Sequence, residues 1–263
     1  MKKIRIILAI IVCKFLIMAG KLAGKKGSST PGGIALKISP DVLKYLSKQV
    51  RREVIMVCGT NGKTTTNNLL YSLLKTQSDG VVCNNVGANM LPGVACAFID
   101  KASVFGRLNA DFAAIECDEA SLRHIIKHVT PDKIVITNLF RDQLDRYGEI
   151  DITIRLLNEA LEKLTDTTLI LNADDPLLAD VCNRIDRDIL YYGIDSGTAE
   201  VRATEIDEAD GATRFNVRYY GRTASVRIPV IGRHNVYNAL AAFSVGLTAG
   251  MAPEDIVAGL RDY

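Results

Sequence analysis

A chain of 263 residues can form one large domain or two small ones and bury a substantial core. A net charge of +2 with 6% aromatic residues leaves no electrostatic footprint for nucleic acid. Six cysteines, at positions 13, 58, 83, 96, 117 and 182, include no Cys-x-x-Cys pair. That spacing argues against a zinc ribbon or a redox pair and reads as buried free thiols in a reducing cytosol.

Residues 4–19 are almost entirely apolar, but Arg5 and Lys14 interrupt them, leaving the run short of the roughly 20 residues a membrane span needs. On a helical wheel Lys3, Lys14, Lys21 and Lys25 share one stripe, which suits a helix lying in a membrane interface or docked on protein. A true span and a cleaved signal are the alternatives. The stretch Gly24 to Gly33 has the composition of a linker or ordered loop, so 1–27 reads as helix plus linker and 28–263 as the main domain.

Strand-like and helix-like segments then alternate: strand at 54–57, helix at 64–74, strand at 81–83, strand at 112–115 and helix at 121–128. Next come a strand at 134–137, a helix at 150–164, strands at 169–171 and 189–192 and a helix at 235–246. This predicts an α/β fold whose mostly parallel sheet is flanked by helices on both faces. Residues 198–230 alternate polar and apolar, with turn signals at Gly211 and Gly221, and predict a small antiparallel addition.

The first strand runs into Cys58-Gly59-Thr60-Asn61-Gly62-Lys63-Thr64-Thr65-Thr66. Glycines that let the backbone N–H groups face an anion, a lysine for the β/γ-phosphates and a threonine placed to ligate Mg²⁺ form a phosphate cradle. The helix after it aims its positive end at the same anion. The general phosphate-loop pattern asks for glycine at position 57, where this chain has valine.

Further on, Phe112-Ala113-Ala114-Ile115-Glu116-Cys117-Asp118-Glu119 is a buried strand tipped with three carboxylates, hard oxygen donors suited to Mg²⁺. The next strand ends in Asn138-Leu139-Phe140-Arg141-Asp142-Gln143-Leu144-Asp145-Arg146-Tyr147-Gly148-Glu149. Asn172-Ala173-Asp174-Asp175-Pro176 succeeds another, and Gly232-Arg233-His234-Asn235-Val236-Tyr237-Asn238 opens the last helix. His124 and His128 share i,i+4 spacing, but without a third nearby ligand they read as surface or core histidines.

The Gly-Thr-Asn-Gly-Lys-Thr-Thr-Thr loop resembles that of the Mur ligase superfamily, ATP-dependent enzymes that activate a carboxylate as acyl phosphate and then form an amide. In order and spacing, the later segments resemble that superfamily too. The run 138–149, with 29–40 and 84–90, is similar to its branch of ligase subunits of lipid II isoglutaminyl synthase. The resemblance implies ATP held by Gly59, Thr60, Asn61, Gly62, Lys63, Thr64, Thr65, Asn172, Asp175, His234 and Asn235, with Asn235 apt for the adenine edge. It implies Lys63 and Glu116 as catalytic residues and Thr64 and Glu116 as Mg²⁺ ligands. Gln143, at the position of a metal-binding histidine in the superfamily, would be a weaker ligand to a second Mg²⁺.

The same resemblance implies a reaction: amidation of the D-glutamate α-carboxylate of lipid II with ammonia from a GatD-type glutaminase partner. It implies a cytoplasmic protein with peripheral contact at the inner face of the plasma membrane. Two departures stand out. The stretch 193–230 holds no cysteine, so the branch's zinc ribbon, and with it zinc, is not expected. The chain ends at Tyr263, about where the superfamily's C-terminal domain would begin, so that domain is expected to be absent. The alternatives are a folylpolyglutamate or γ-glutamyl-adding ligase and a non-catalytic ATP-binding remnant.

Overall fold

The computed structural model describes residues 2–22, 24, 29–84, 88–140, 149–182 and 188–263. Its organising element is β1 (Val50–Cys58), where β-branched and other apolar side chains succeed one another because the strand is buried on both faces. Successive side chains point to opposite sides: Val54, Met56 and Cys58 enter one hydrophobic core, Ile55 and Val57 the other. β1 pairs in parallel with β3 (Ala110–Glu116) on one side and β4 (Lys133–Ile136) on the other.

The sheet continues through β2 (Val81–Cys83) beyond β3, and through β5 (Thr168–Asn172) and β6 (Ile189–Gly193) beyond β4, all parallel. β7 (Val201–Ala209), β8 (Ala212–Tyr219) and β9 (Arg222–Ile228) extend the same sheet, the last two pairings antiparallel. Their two-residue turns, Asp210-Gly211 and Tyr220-Gly221, carry positive φ at both positions, the geometry whose twist matches a hairpin. The expected parallel sheet with its antiparallel addition is therefore what the chain forms, as one continuous sheet.

Helices cover both faces. α4 (Lys63–Lys75), α9 (Arg233–Thr248) and α10 (Pro253–Arg261) pack over the core that contains Val57. The opposite core is roofed by α1 (Lys2–Leu22), α2 (Thr30–Ile38), α3 (Val42–Ser47), α5 (Leu91–Lys101), α6 (Glu119–Ile125), α7 (Glu149–Leu161) and α8 (Pro176–Cys182). Five of these ten helices, α2, α3, α5, α8 and α10, lie outside the helices expected from sequence.

The segment read as linker enters α2 at Thr30. Its Pro31 fits a helix's first turn, where an N–H is unpaired anyway. The neighbouring Gly32 is there for contact: a Cβ on it would stand 1.9 Å from the Pro92 carbonyl oxygen of α5. α6 ends at Ile125, so His128 lies beyond it and the two histidines do not share a helix face. No helix among the described residues is long and apolar enough to cross a membrane.

The strand order β2-β3-β1-β4 places β1 at a topological switch point, with connections leaving it in opposite directions. Open α/β sheets form a crevice there, beyond the carboxyl ends of the strands. Register makes those ends level: Val57 pairs with Glu116 and Cys58 with Ile136.

Candidate nucleotide-binding site

Beyond Cys58 the chain must turn at once to enter α4. Gly59 (φ 125°) and Gly62 (φ 82°) make that turn in the left-handed region that side chains disfavour. Space reinforces the choice, because a Cβ on Gly59 would stand 2.2 Å from Thr137 Oγ1.

The loop between the two glycines is tied to the end of β4. Thr60 N–H donates to the Asn138 carbonyl at 2.8 Å and Asn61 N–H to Asn138 Oδ1 at 3.0 Å. Thr137 Oγ1 and Asn138 Nδ2 donate in turn to the Asn61 carbonyl at 2.7 and 2.9 Å. Thus braced, the loop delivers α4, whose first-turn N–H groups, Lys63 to Thr65, have no partner within the helix by construction. Those donors and the helix dipole suit an anion.

Lys63 folds back over this loop. Its Nζ donates to the Gly59 carbonyl and, at 3.0 Å, to that of Thr60, and lies 3.8 Å from Glu119 Oε1. Both side chains are mostly buried, and burial pushes the Glu119 carboxyl above its ordinary range while the Lys63 charge opposes the shift. Lys63 is thus a cation held beside the turn with a carboxylate as its counter-charge.

Across from it, Thr64 Oγ1 donates to Glu116 Oε2 at 2.9 Å. Glu116 is 2% exposed, and its other carboxylate oxygen lies 3.5 Å from Asn89 Nδ2. The Asn84 side chain clamps the Glu116 backbone, accepting from its N–H at 2.8 Å and donating to its carbonyl at 2.7 Å. A hydroxyl and a carboxylate facing each other from two elements are hard oxygen donors that fit Mg²⁺, which takes one or two protein ligands and completes its shell with phosphate and water. Among the described residues no group of three or more His, Cys, Asp or Glu is placed to cage a metal by itself. Beneath the cradle Cys58 and Cys117 lie with sulfurs 2.7 Å apart, and the Cys117 contact and burial push the Cys58 thiol far up, away from reactivity.

Asn172 and Asp175 act one layer further out. Asn172 Nδ2 donates to the Thr137 carbonyl at 3.2 Å, and Asp175 Oδ2 accepts from Leu139 N–H at 2.7 Å. Both side chains are buried and hold the strand-to-loop segment on which the turn rests.

His234 and Asn235 stand in the first turn of α9, His234 exposed, with Asn235 Nδ2 bonded to the Ile231 carbonyl at 2.8 Å. Asn235 Oδ1 accepts from Asn238 Nδ2 at 3.2 Å, and Asn238 Oδ1 accepts from Thr66 Oγ1 at 3.2 Å. A hydrogen-bond chain therefore connects the start of α9 to α4. Gln143 lies outside the described residues, as does the rest of 141–148.

Glu119, expected as one of three oxygen donors for Mg²⁺, instead faces Lys63, and Asn84, Asn89, Asn138 and Asn238 stand inside motif segments where nothing local assigns them the contacts they make. Their signal in the sequence is proximity to the motifs alone. What they touch depends on which strands neighbour β1, and no local pattern states that.

One residue of the Asn-Ala-Asp-Asp turn carries its own network. Asp174 accepts backbone N–H bonds from Ile194, Asp195 and Ser196 at 2.6, 3.0 and 2.6 Å, and the Tyr237 hydroxyl at 2.8 Å. Burial alone would raise this carboxyl, but these donors outweigh it and hold the group below its ordinary range. Burial and the Asp174 charge push the Tyr237 phenol up to about 12. The network ties the ends of β5 and β6 to α9.

Asp174→Asn is expected to cost about 2 kcal/mol at neutral pH, since the amide offers one acceptor and turns donors toward donors. A depressed folded-state value contributes stability that is present above the unfolded value, near pH 4, and lost as pH falls through the folded one. Urea unfolding should accordingly show the gap between wild type and variant closing only below about pH 4. A gap that persists undiminished into acid would assign the loss to packing rather than charge.

Comparison with known proteins places this geometry among relatives. The Mur ligase middle domain family matches residues 57–246. The chain is similar to the lipid II isoglutaminyl synthase (glutamine-hydrolyzing) subunit MurT of Staphylococcus aureus, with 33% identity over 97% of this chain and 66% of the relative. The corresponding Streptococcus pneumoniae subunit is 40% identical over 65% of this chain and 37% of its own length. Among solved structures, MurF from Acinetobacter baumannii superposes with a TM-score of 0.74 at 25% identity, covering 86% of this chain and 48% of that one. The chain thus spans 66% of the length of the first of these relatives and about half of the solved enzyme.

Proposed function

Because this chain belongs to the Mur ligase family, we propose that it is the nucleotide-binding part of an ATP-dependent carbon–nitrogen ligase of peptidoglycan synthesis. Its substrate would be the D-glutamate α-carboxylate in the stem peptide of lipid II, amidated to D-isoglutamine with ammonia from a GatD-type glutamine amidotransferase. The observation that carries the nucleotide reading is the meeting of Thr64 with Glu116 across the Gly59–Lys63 turn. Similarity to MurT subunits along 97% of the chain supports the choice of substrate and partner.

ATP, when bound with Mg²⁺, supplies the phosphoryl group that makes the carboxylate open to attack by ammonia. The chain's own part is positioning and charge. The N–H groups at the start of α4 would bind phosphate oxygens, and Lys63, released from the Gly59 and Thr60 carbonyls, would set its charge against the transferring group. Thr64 and Glu116 would hold Mg²⁺. His234 and Asn235, with Asn172 and Asp175 behind the loop, would shape the nucleoside side of the site. A cytosolic nucleotide and a lipid-borne substrate would put the reaction at the inner face of the plasma membrane.

Phosphate release by the intact ligase assembly, given Mg-ATP, lipid II, glutamine and the glutaminase, tests the reading. Release that requires lipid II and yields amidated product is expected. Nucleotide binding without release would favour a non-catalytic remnant, and release that responds to a folate-linked glutamate instead would favour the γ-glutamyl-adding branch.

A further inference from the structure

α1 buries Ile6, Ala9, Ile10 and Cys13 against the body of the protein, where it packs on α2 and α5. It is pinned at both rims: Arg5 donates to the Ile38 carbonyl at 3.2 and 3.0 Å, and Lys14 to the Asp100 carbonyl at 2.8 Å. The opposite face is exposed, and it is apolar. Ile4, Leu8, Ile11, Phe15, Met18 and Leu22 are 71, 51, 48, 62, 54 and 84% exposed. Their spacing of four, three, four, three and four residues confines them to an arc of about 80° on the helix. A helix on a protein surface ordinarily turns a polar face outward, whereas this one is apolar on both its buried and its exposed face.

The charges around the stripe indicate what it meets. α1 contains Lys2, Lys3, Arg5, Lys14 and Lys21 and no acidic residue. Asp100 of α5, 3.8 Å from Lys21, is an exposed surface partner too weak to cancel that excess. The turn at 103–106 lies beside the buried Ile10, since a Cβ on Gly106 would stand 3.3 Å from Ile10 Cδ1, and it exposes two more apolar side chains close to α1, Val104 (46% exposed) and Phe105 (75%).

We infer that this face docks on a bilayer of anionic lipid, with Ile4, Leu8, Ile11, Phe15, Met18 and Leu22 in the headgroup–acyl boundary and the basic rim on acidic headgroups. The same heptad-like spacing would also serve a second copy of the helix. Pairing two such helices, however, brings basic rims together with no acid on either to relieve them. The buried face, committed to the protein core, keeps the helix lying on the membrane rather than crossing it. This inference goes beyond the ligase reading and does not depend on it.

Sedimentation of the 263-residue chain with vesicles is the test. The chain should pellet with phosphatidylglycerol vesicles at low salt and remain in solution with phosphatidylcholine vesicles, and high salt should release it. Ile11→Gln with Phe15→Gln should weaken the partition about 10-fold or more, with far-UV circular dichroism unchanged because both residues point outward. Lys2→Glu with Lys3→Glu should weaken it for phosphatidylglycerol alone. Absence of pelleting, or equal pelleting with both lipids, would overturn the inference. So would a lipid-free dimer, seen by sedimentation equilibrium, that the Ile11→Gln and Phe15→Gln pair dissolves, since that result assigns the stripe to a second copy.

Discussion

Lys63→Ala is expected to lower ATP turnover by the intact ligase about 10³-fold, to the floor of a phosphate-release assay. The size reflects what the side chain is placed to do. In phosphoryl transfer the protein supplies position and charge more than covalent chemistry, so on the proposed reading removing the cation that would face the transferring group removes a main contribution. Lys63 extends from the first residue of α4 and already lies on the turn, bonded to Gly59 and Thr60 carbonyls. The substitution also strands Glu119, but that carboxyl sits above its ordinary range because of burial and can take a proton instead of unfolding the site. Thermal unfolding and nucleotide affinity, measured alongside the rate, separate a lost charge from a lost fold. A folded variant that turns over ATP at the wild-type rate removes the turn from the mechanism.

Glu116→Gln carries the second large effect, a fall of about 10² to 10³ in rate, joined to a weaker dependence on Mg²⁺. Glutamine keeps the volume and an acceptor for Thr64 Oγ1 while deleting the charge that would hold the cation. The Asn84 clamp acts on the Glu116 backbone, so the strand end should stay in place. The informative measurement is the rate against Mg²⁺ concentration: the midpoint should move to higher magnesium, with partial recovery at saturation. A midpoint that stays put would show that the carboxylate does not face the metal.

Much of the framework was legible because periodicity and turn chemistry are local. The apolar runs at 54–57, 112–115, 134–137 and 169–171 lie in or at the ends of strands, and Gly211 and Gly221 mark the hairpin turns they announced. The tight turn into α4 was readable because glycines at positions 59 and 62, just before Lys63 and Thr64, form a spaced turn signal, and both take positive φ. The helices that the sequence does not announce carry local signals that point elsewhere. Thr30-Pro31-Gly32-Gly33 and Leu91-Pro92-Gly93 have the composition of turns, yet proline suits a first helical turn and Gly32 and Gly93 sit where the neighbouring backbone leaves no room for a side chain. The supports of the site escaped for another reason. Asn138 beneath the turn, Asn84 behind Glu116 and Asn238 against Thr66 are joined to their partners across 77, 32 and 172 residues of chain.

The alternation of β3 has a consequence for how this site can change over time. Phe112 and Ala114 point toward the core under α4, Ala113 and Ile115 toward the other, and Glu116 keeps to the first set to reach Thr64. Gaining or losing a single residue within the strand would swap every side chain from there to its end between faces, delivering Ile115 or Cys117 to the hydroxyl and a carboxylate to the oily side. The Glu116 carboxylate and the core are thus written in one reading frame: substitutions along this strand are negotiable one at a time, but insertions and deletions are not.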